Sequence, residues 1–313
     1  MTVARTVRPT DLVALVSFDG RVYPNEAKTR ERIGKTEAAP RPLESALEQW
    51  FSFATGRHTW ISVKGATLRG LVSARRRGSR AAWEVDCLIN AAEDDDAVCQ
   101  GLLDQAVAEA ARRGVEKVFL RLTGGSGILP LARRAGFCEF LREGLFSCRS
   151  PVTGERGIDR ALPLRKRVRD DDHALFQLYN AVAPEAVRRA EAATLSEWRA
   201  AQERNWLAGR KSQLVLERET RITAWLRLAA DANIGRFDLV IHPSEQEGQD
   251  ALLDLALSRL AGNGLLLTLI PEYADGLGRA LSQRGFQRGQ EYTVLVRRTA
   301  VAVKAAQLAH NAI

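Results

Sequence analysis

The sequence is short of cysteine, methionine and lysine. Its 313 residues include four cysteines, one methionine and seven lysines. Cys87, Cys99, Cys138 and Cys148 show no CxxC spacing, and the four histidines are scattered along the chain. This pattern excludes a zinc-ribbon type of structural metal site and favours reduced thiols in a cytoplasmic protein. We therefore expect no metal cofactor.

Long hydrophobic runs are missing as well. The longest, GLLLTLI at residues 264–270, is far shorter than the roughly 20 residues that span a bilayer. The first residues, MTVARTVRPTD, lack the apolar segment of a signal peptide. We expect a cytoplasmic location and no membrane partner.

Basic residues exceed acidic ones, with a net charge of +8, and the excess is almost entirely arginine. The basic runs RRR at 75–77 and RKRVR at 165–169 carry no interleaved aromatic residues. A groove for single-stranded nucleic acid uses aromatic rings for base stacking. The arginines are therefore interpreted as surface residues that pair with the 38 acids, and no nucleic-acid partner is expected.

The chain repeats one plan about 150 residues apart. Two Leu-Leu pairs, Leu102–Leu103 and Leu252–Leu253, and two Gly-Phe pairs, Gly136–Phe137 and Gly285–Phe286, recur at this interval. Each half predicts three strands, a helix, a strand, a short helix and a final strand. A period this long is typical of two domains of one fold. We predict an α/β (α+β) protein with domains 1–152 and 153–313, each a mixed central sheet flanked by helices.

This element order, together with the turns RAGFCEF and QRGFQRG, resembles the GCN5-related N-acetyltransferase (GNAT) superfamily in a tandem form. The resemblance implies acyl transfer from acetyl-CoA to an amine. It also implies a glycine-rich loop after the fourth strand, whose N–H groups hold the CoA diphosphate at a helix N-terminus.

The first half inverts the chemistry of that loop. Four acids, Glu93, Asp94, Asp95 and Asp96, stand where the family carries arginine and glycine. These carboxylates would repel a diphosphate, whereas acids at a helix N-terminus stabilise the helix by a few tenths to about 1 kcal/mol each. We predict that this helix start is occupied by its own side chains.

The corresponding loop of the second half opposes the binding of an acyl-CoA donor less strongly. Its run HPSEQEGQDALL, 242–253, is two residues shorter and keeps one glycine, although the spacing of Ser244 and Glu247 is typical of a capping box. The resemblance places the candidate donor-binding residues at the strand exit and in this loop: Val240, Ile241, His242, Gln246, Gly248 and Gln249.

Candidate catalytic residues are few. The positions of the family's usual tyrosine acid are Ala132 and Leu281, which cannot transfer a proton. Tyr273 is the candidate substitute. Glu84 and Asp86 share one face of AAWEVDCLI and are candidate bases, with pairing to arginines such as Arg75 as the alternative.

The expectation is thus an N-acyltransferase with weakened or lost donor motifs, acting on a small amine or an anionic acceptor. Two alternatives stay open. One is a non-catalytic GNAT-fold module for ligand sensing or assembly, and the other is an aminoacyl-tRNA-dependent transferase, for which the chain lacks a long inserted helical hairpin. A homodimer is left open.

Overall fold

The computed structural model describes residues 4–11, 23–34, 56–65, 67–78, 81–92, 95–149, 151, 162–202, 210–231 and 233–300. The strands are β1 Ala4–Thr6, β2 Arg57–Lys64, β3 Thr67–Arg76, β4 Ala82–Asn90, β5 Lys117–Thr123, β6 Cys138–Cys148, β7 Leu164–Lys166, β8 Arg210–Arg218, β9 Arg221–Asp231, β10 Ile234–Ile241, β11 Leu265–Pro271 and β12 Gln287–Arg298. The α-helices are α1 Asp96–Arg112, α2 Ile128–Arg134, α3 Asp172–Val182, α4 Glu185–Glu191, α5 Leu195–Ala201, α6 Gln246–Arg259 and α7 Asp275–Gln283. No helix in these ranges is long and apolar enough to cross a membrane.

The strands form one mixed sheet, in the order β1-β2-β3-β4-β5-β12-β6-β11-β10-β9-β8-β7. The last strand of each half lies beside the other half, since β12 pairs antiparallel with β5 and β6 pairs antiparallel with β11. β12 and β6 also pair with each other. The two halves are therefore joined by exchange of their final strands. The boundary between residues 152 and 153 stays a prediction from chain order.

The predicted repeat has the same local structure in both halves. Gly136 and Gly285 follow α2 and α7 with φ of 77° and 85°, a region that glycine enters without steric cost. The N–H of the next residue, Phe137 or Phe286, donates to the carbonyl five residues back, at 3.0 and 3.1 Å. This turn satisfies a carbonyl at the helix end and buries each phenylalanine.

Each half buries its own apolar core. In the first, Leu102 and Leu103 of α1 pack with strand residues such as Leu120. In the second, Leu252 and Leu253 of α6 lie in the cluster that contains Phe237 and Phe286. The Leu-Leu pairs seen in the sequence are thus equivalent core positions, because each faces the sheet from the helix that follows the fourth strand of its half.

The sheet opens at two equivalent places. The parallel strands β4 and β5 pair only through Ala82–Glu84 and Lys117–Phe119. The parallel strands β10 and β11 pair only through Ile234–Arg236 and Leu265–Leu267. Beyond these residues each pair of strands separates. One backbone edge of β4, and one of β10, therefore no longer pairs with its parallel neighbour.

A bidentate ion pair also recurs in the two halves. The guanidinium of Arg5 donates to both carboxylate oxygens of Asp11 at 2.6 and 2.7 Å, and Arg165 does the same to Asp171 at 2.7 and 2.8 Å. Each aspartate also accepts the backbone N–H three residues before it. These pairs hold the chain as it leaves β1 and β7.

Replacement of Asp11 or Asp171 by asparagine is expected to lower the free energy of unfolding by about 2 kcal/mol at neutral pH. Hydrogen bonds from Arg5 and Arg165 lower the pKa of Asp11 and of Asp171. A carboxylate with a lowered folded-state pKa stabilises the fold above its unfolded pKa of about 4 and loses that contribution as the pH falls through the folded value.

Urea denaturation of the wild type and the two variants should therefore show a difference that is constant near neutral pH and shrinks below pH ~4. Asp275→Asn, which removes an exposed pair with Arg279, is the control. An undiminished difference at low pH would contradict this account.

Candidate functional site

The opening between β4 and β5 is filled by the chain's own residues 23–34. The backbone N–H of Glu26 donates to the carbonyl of Leu88 at 2.8 Å, and the N–H of Lys28 donates to the carbonyl of Arg121 at 2.8 Å. Leu88 belongs to β4 and Arg121 to β5. The segment therefore bridges the two strands where they stop pairing with each other.

Asn25 anchors this segment with its side-chain amide. Its Nδ2 donates to the carbonyl of Asp86 at 3.1 Å, and its Oδ1 accepts the N–H of Leu88 at 2.9 Å. Asn25, Ala27 and Thr29 are all buried. The exposed backbone edge that a parallel opening creates is therefore already satisfied in the first half.

The equivalent opening between β10 and β11 contains a cavity of about 440 Å³. Leu239, Val240 and Ile241 of β10 line it. Within the described ranges, no backbone group bonds to this edge of β10 as Glu26 and Lys28 bond to β4 and β5. The second half thus keeps open the place that the first half closes.

The cavity extends between two sides of the second half. On one side lie α3, α5 and β9, and on the other lie the start of α6 and the turn between β11 and α7. Its aromatic lining consists of Tyr179, Trp198, Trp225 and Tyr273, and its remaining wall near α6 and α7 includes His242, Pro243, Gln249, Ala274, Gly276 and Leu277. Residues 179–201 reach it on three separate helices, α3, α4 and α5, because Pro184 and the capping residue Thr194 divide them.

Residues of the first half complete the cavity. Arg30 comes from the segment 23–34 that fills the other opening, and Leu141 and Glu143 come from the exchanged strand β6. The same segment packs Ile33 against Leu269, and the Ile33 carbonyl accepts a hydrogen bond from Arg236 at 3.1 Å. The site therefore depends on both halves of the chain.

Three acids line the cavity, and each has an arginine partner. Glu143 pairs with Arg30 and accepts a 3.2 Å hydrogen bond from Arg121. Glu191 accepts a 3.0 Å hydrogen bond from Arg77.

Asp238 pairs with Arg227, the residue opposite it on β9. The guanidinium of Arg227 also lies 4.5 Å from the ring centroid of Trp225 and donates to Gln202 at 3.1 Å. Charged groups held by several partners in this way keep fixed positions in the wall.

The two cavity tyrosines are held protonated. Partial burial raises the pKa of Tyr273, which is still 36% exposed, and the negative charges of Glu191 and Glu143 raise it further. Burial is also the main cause that raises the pKa of Tyr179, with Glu191 adding to it. Both phenols therefore present O–H groups at neutral pH.

Five of the sequence-predicted site residues meet in this cavity. They are Val240, Ile241, His242, Gln249 and Tyr273. Gly248 lies in the first turn of α6 but outside the cavity wall, and the side chain of Gln246 is outside the described residues. Ala132 and Leu281 are buried in the two cores.

The two predicted bases of the first half lie elsewhere. Glu84 is 4% exposed and pairs with Arg75 at 3.0 Å and with Arg121 at 3.7 Å. Asp86 is 1% exposed and accepts hydrogen bonds from Arg57 at 2.5 Å and Ser73 at 2.7 Å. Neither residue lines the cavity, so their catalytic role stays a prediction. Glu84 makes the ion pair with Arg75 that was the alternative interpretation.

The acids at the start of α1 are described only in part, since Glu93 and Asp94 lie outside the described residues. Asp95 stands at the N-cap position without a side-chain capping bond and lies 3.8 Å from Arg69. Asp96 pairs with Arg134 at 2.7 Å. Arginines, rather than the helix's own N–H groups, are the partners of these two carboxylates.

The start of α6 has a related arrangement. The carboxylate of Glu245 accepts hydrogen bonds from Arg218 at 3.1 and 3.2 Å and from Thr223 at 3.0 Å. A Cβ built on Gly248 would lie 2.6 Å from Oε1 of Glu245, so the carboxylate occupies the space directly beside this glycine. The hydrogen bond from Arg218 lowers the pKa of Glu245, which is ionised at neutral pH.

Sequence reasoning missed Arg30, Glu143 and Glu191. No sequence pattern indicates that β6 pairs with a strand of the other half, or that residues 23–34 contact the other half. The one available signal is that Glu143 shares a strand face with Leu141 and Leu145, where an isolated acid indicates a buried pair. No group of three or more histidine, cysteine or acidic side chains in the described parts of the chain could hold a metal ion.

Comparison with solved structures identifies the fold. A GCN5-related N-acetyltransferase from Sphaerobacter thermophilus aligns with 96% of this chain and 98% of its own, with a TM-score of 0.55 and 13% identity. The chain has the GNAT fold. Weaker matches include a GNAT from Anabaena variabilis (95% and 72% covered, 11% identity, TM-score 0.49) and a tandem GNAT protein from the clavulanic acid biosynthesis pathway (97% and 99%, 13%, 0.46). No family model and no curated protein matches the sequence.

An acyl-CoA donor, which the GNAT fold implies, fits one part of this site and not another. The β10 edge at Leu239–Ile241 offers backbone groups and open space for the donor's amide-containing arm. At the start of α6, the Glu245 carboxylate lies over Gly248, close to where a diphosphate would meet the helix N-terminus. The residues present therefore favour the thioester arm and oppose the diphosphate.

Replacement of Glu245 by glutamine should tighten the binding of acetyl-CoA about fivefold. The substitution removes one negative charge, and like charges a few ångströms apart in a solvated site interact by ~1 kcal/mol. Isothermal titration calorimetry measures the change, with Asp95→Asn at the start of α1 as the matched control. Unchanged or weaker binding by Glu245→Gln would show that no diphosphate approaches this helix.

Proposed function

We propose that the second half is an N-acyltransferase site that takes an acyl thioester, such as acetyl-CoA, and transfers the acyl group to an amine. The observation that supports this most is the contrast between the two openings of the sheet. The first is closed by Asn25 and its neighbours, whereas the second contains the 440 Å³ cavity along β10. In the described part of the chain the β10 edge beyond Arg236 has no backbone partner beside this cavity, an arrangement that a purely structural duplicate would not require.

In this proposal the backbone of Val240 and Ile241 orients the donor's arm, as a neighbouring strand would. The thioester then supplies an activated carbonyl to the cavity. The aromatic wall of Trp198, Trp225 and Tyr179 keeps the acceptor amine near it and limits the access of water.

Two side chains move protons. Asp238, on the same strand two residues before Val240, accepts the proton that the amine loses, and Tyr273, held protonated, donates a proton toward the leaving sulfur. The N–C bond forms as the C–S bond breaks, and the thiol leaves. Glu84 and Asp86 have no part in this step.

The non-catalytic alternative, a ligand-sensing or assembly module, remains the second candidate. The acidic starts of α1 and α6 favour it, because both place a carboxylate at a site where the fold holds a diphosphate. Donor binding without turnover of any amine would support it over the enzyme.

A bulky side chain at Gly276 should abolish donor binding and turnover. Gly276 lines the cavity, and a Cβ there meets no atom closer than 4.0 Å, so Gly276→Trp fills open space without strain on the backbone. Gly127, which stands 149 residues earlier at the equivalent place before α2, also has open space, and Gly127→Trp is the matched control.

Calorimetric titration with acetyl-CoA and initial rates with a panel of primary amines are the measurements. The proposal requires that Gly276→Trp loses at least about tenfold in affinity, roughly 1.4 kcal/mol, while Gly127→Trp binds like the wild type. Equal behaviour of the two variants would overturn the assignment of the donor to the second half.

A further inference from the structure

A basic groove opens beside the cavity. It has a volume of about 910 Å³ and lies between the loop after β7, the ends of α3 and α5, and the strands β8 and β9. Four residues line both the groove and the cavity: Trp198, Gln202, Trp225 and Arg227. The groove and the cavity are therefore neighbours that share these four side chains.

The groove and the cavity differ in charge. The groove is lined by the cations Arg167, Arg169, Arg199, Lys211 and Arg227 against two acids, Asp170 and Asp172. The cavity is lined by three acids, Glu143, Glu191 and Asp238, against Arg30 and Arg227. The groove thus carries excess positive charge, whereas each acid of the cavity wall is paired with an arginine.

The cations of the groove are held in place. Asp172 is buried and pairs with both Arg167 and Arg199, the second at 2.7 Å, so one carboxylate positions two guanidinium groups and neutralises only one charge. Buried Nε of Arg167 and Oε1 of Gln213 have no hydrogen-bond partner in the described chain. Arg169 is exposed, and no acid of the described ranges lies within ion-pair distance of it. Such preorganised guanidinium groups suit carboxylate or phosphate oxygens.

We propose that the acceptor is an amine that also carries an anionic group, a carboxylate or a phosphate, which the groove binds while the amine points into the cavity. This inference rests on the proposed transfer reaction and names its acceptor class. The ammonium group approaches the acidic, aromatic wall at Asp238 and Trp225 before it loses its proton, and the anion stays at Arg199 and Lys211 in the solvated groove. Charge complementarity in the groove and the aromatic wall of the cavity together set the orientation of the acceptor.

The test compares three amines of similar length: hexylamine, aminocaproate and aminohexyl phosphate. Calorimetric titration of each into the full chain without a donor measures binding alone, and initial rates with acetyl-CoA measure transfer. Aminocaproate or aminohexyl phosphate should bind at least about tenfold more tightly than hexylamine, and the preferred one of the two identifies the anion. This preference should fall as salt is added, because the groove is open to solvent.

Arg199→Gln and Lys211→Gln, both at exposed positions, should each remove most of the preference for the anionic amine and leave hexylamine unaffected. Arg279→Gln, which removes an exposed arginine of α7 outside the groove, is the matched control. Equal binding of the three amines, or a preference that survives both substitutions, would overturn the inference. Selective binding without any transfer would uphold the groove and contradict the proposed reaction instead.

Discussion

The separation of β10 from β11 after three paired residues is the constraint on which the site depends. A parallel pair that stops early leaves backbone N–H and C=O groups that require partners. The first half meets the same requirement at β4 and β5 with its own residues, through Asn25, Glu26 and Lys28. Within the described residues, the second half leaves this edge without a backbone partner, beside the cavity. The short segment 23–34 thus makes the two halves differ. It fills the opening of the first half and, through Arg30, forms part of the cavity wall in the second half.

Exchange of the final strands explains why the halves act as a unit. β6 places Leu141 and Glu143 in the cavity of the other half, and β12 takes the equivalent place beside β5. An ion pair within the cavity, Arg30 with Glu143, is therefore made only of first-half residues although it serves the second-half site. The duplicated chain retains a closed half because that half supplies structure that the open half needs.

Much of the fold could be predicted from the sequence, and rather less of the site. The Gly-Phe turns and the Leu-Leu pairs mark equivalent positions, because helix ends and core-facing helix surfaces impose local sequence patterns. The repeat and its elements could therefore be predicted from the sequence. Val240, Ile241, His242, Gln249 and Tyr273 were chosen by their family positions and line the cavity, and their roles in binding or catalysis stay a prediction. Glu84 and Asp86 were selected by the same local rule, yet their surroundings are arginines contributed by neighbouring strands. Arg30 and Glu143 depend on strand exchange and on a crossing loop, which are long-range features that no local pattern encodes.

Amide hydrogen exchange with and without acetyl-CoA tests the central claim most directly, since it reports on both openings in one experiment. The account predicts that the donor slows exchange in peptides that contain Val240 and Ile241, and that peptides containing Leu88, already bonded to Asn25, exchange at the same slow rate in both samples. Protection at Leu88 with none at Val240 would contradict the account, because it would place the donor in the half that the chain closes.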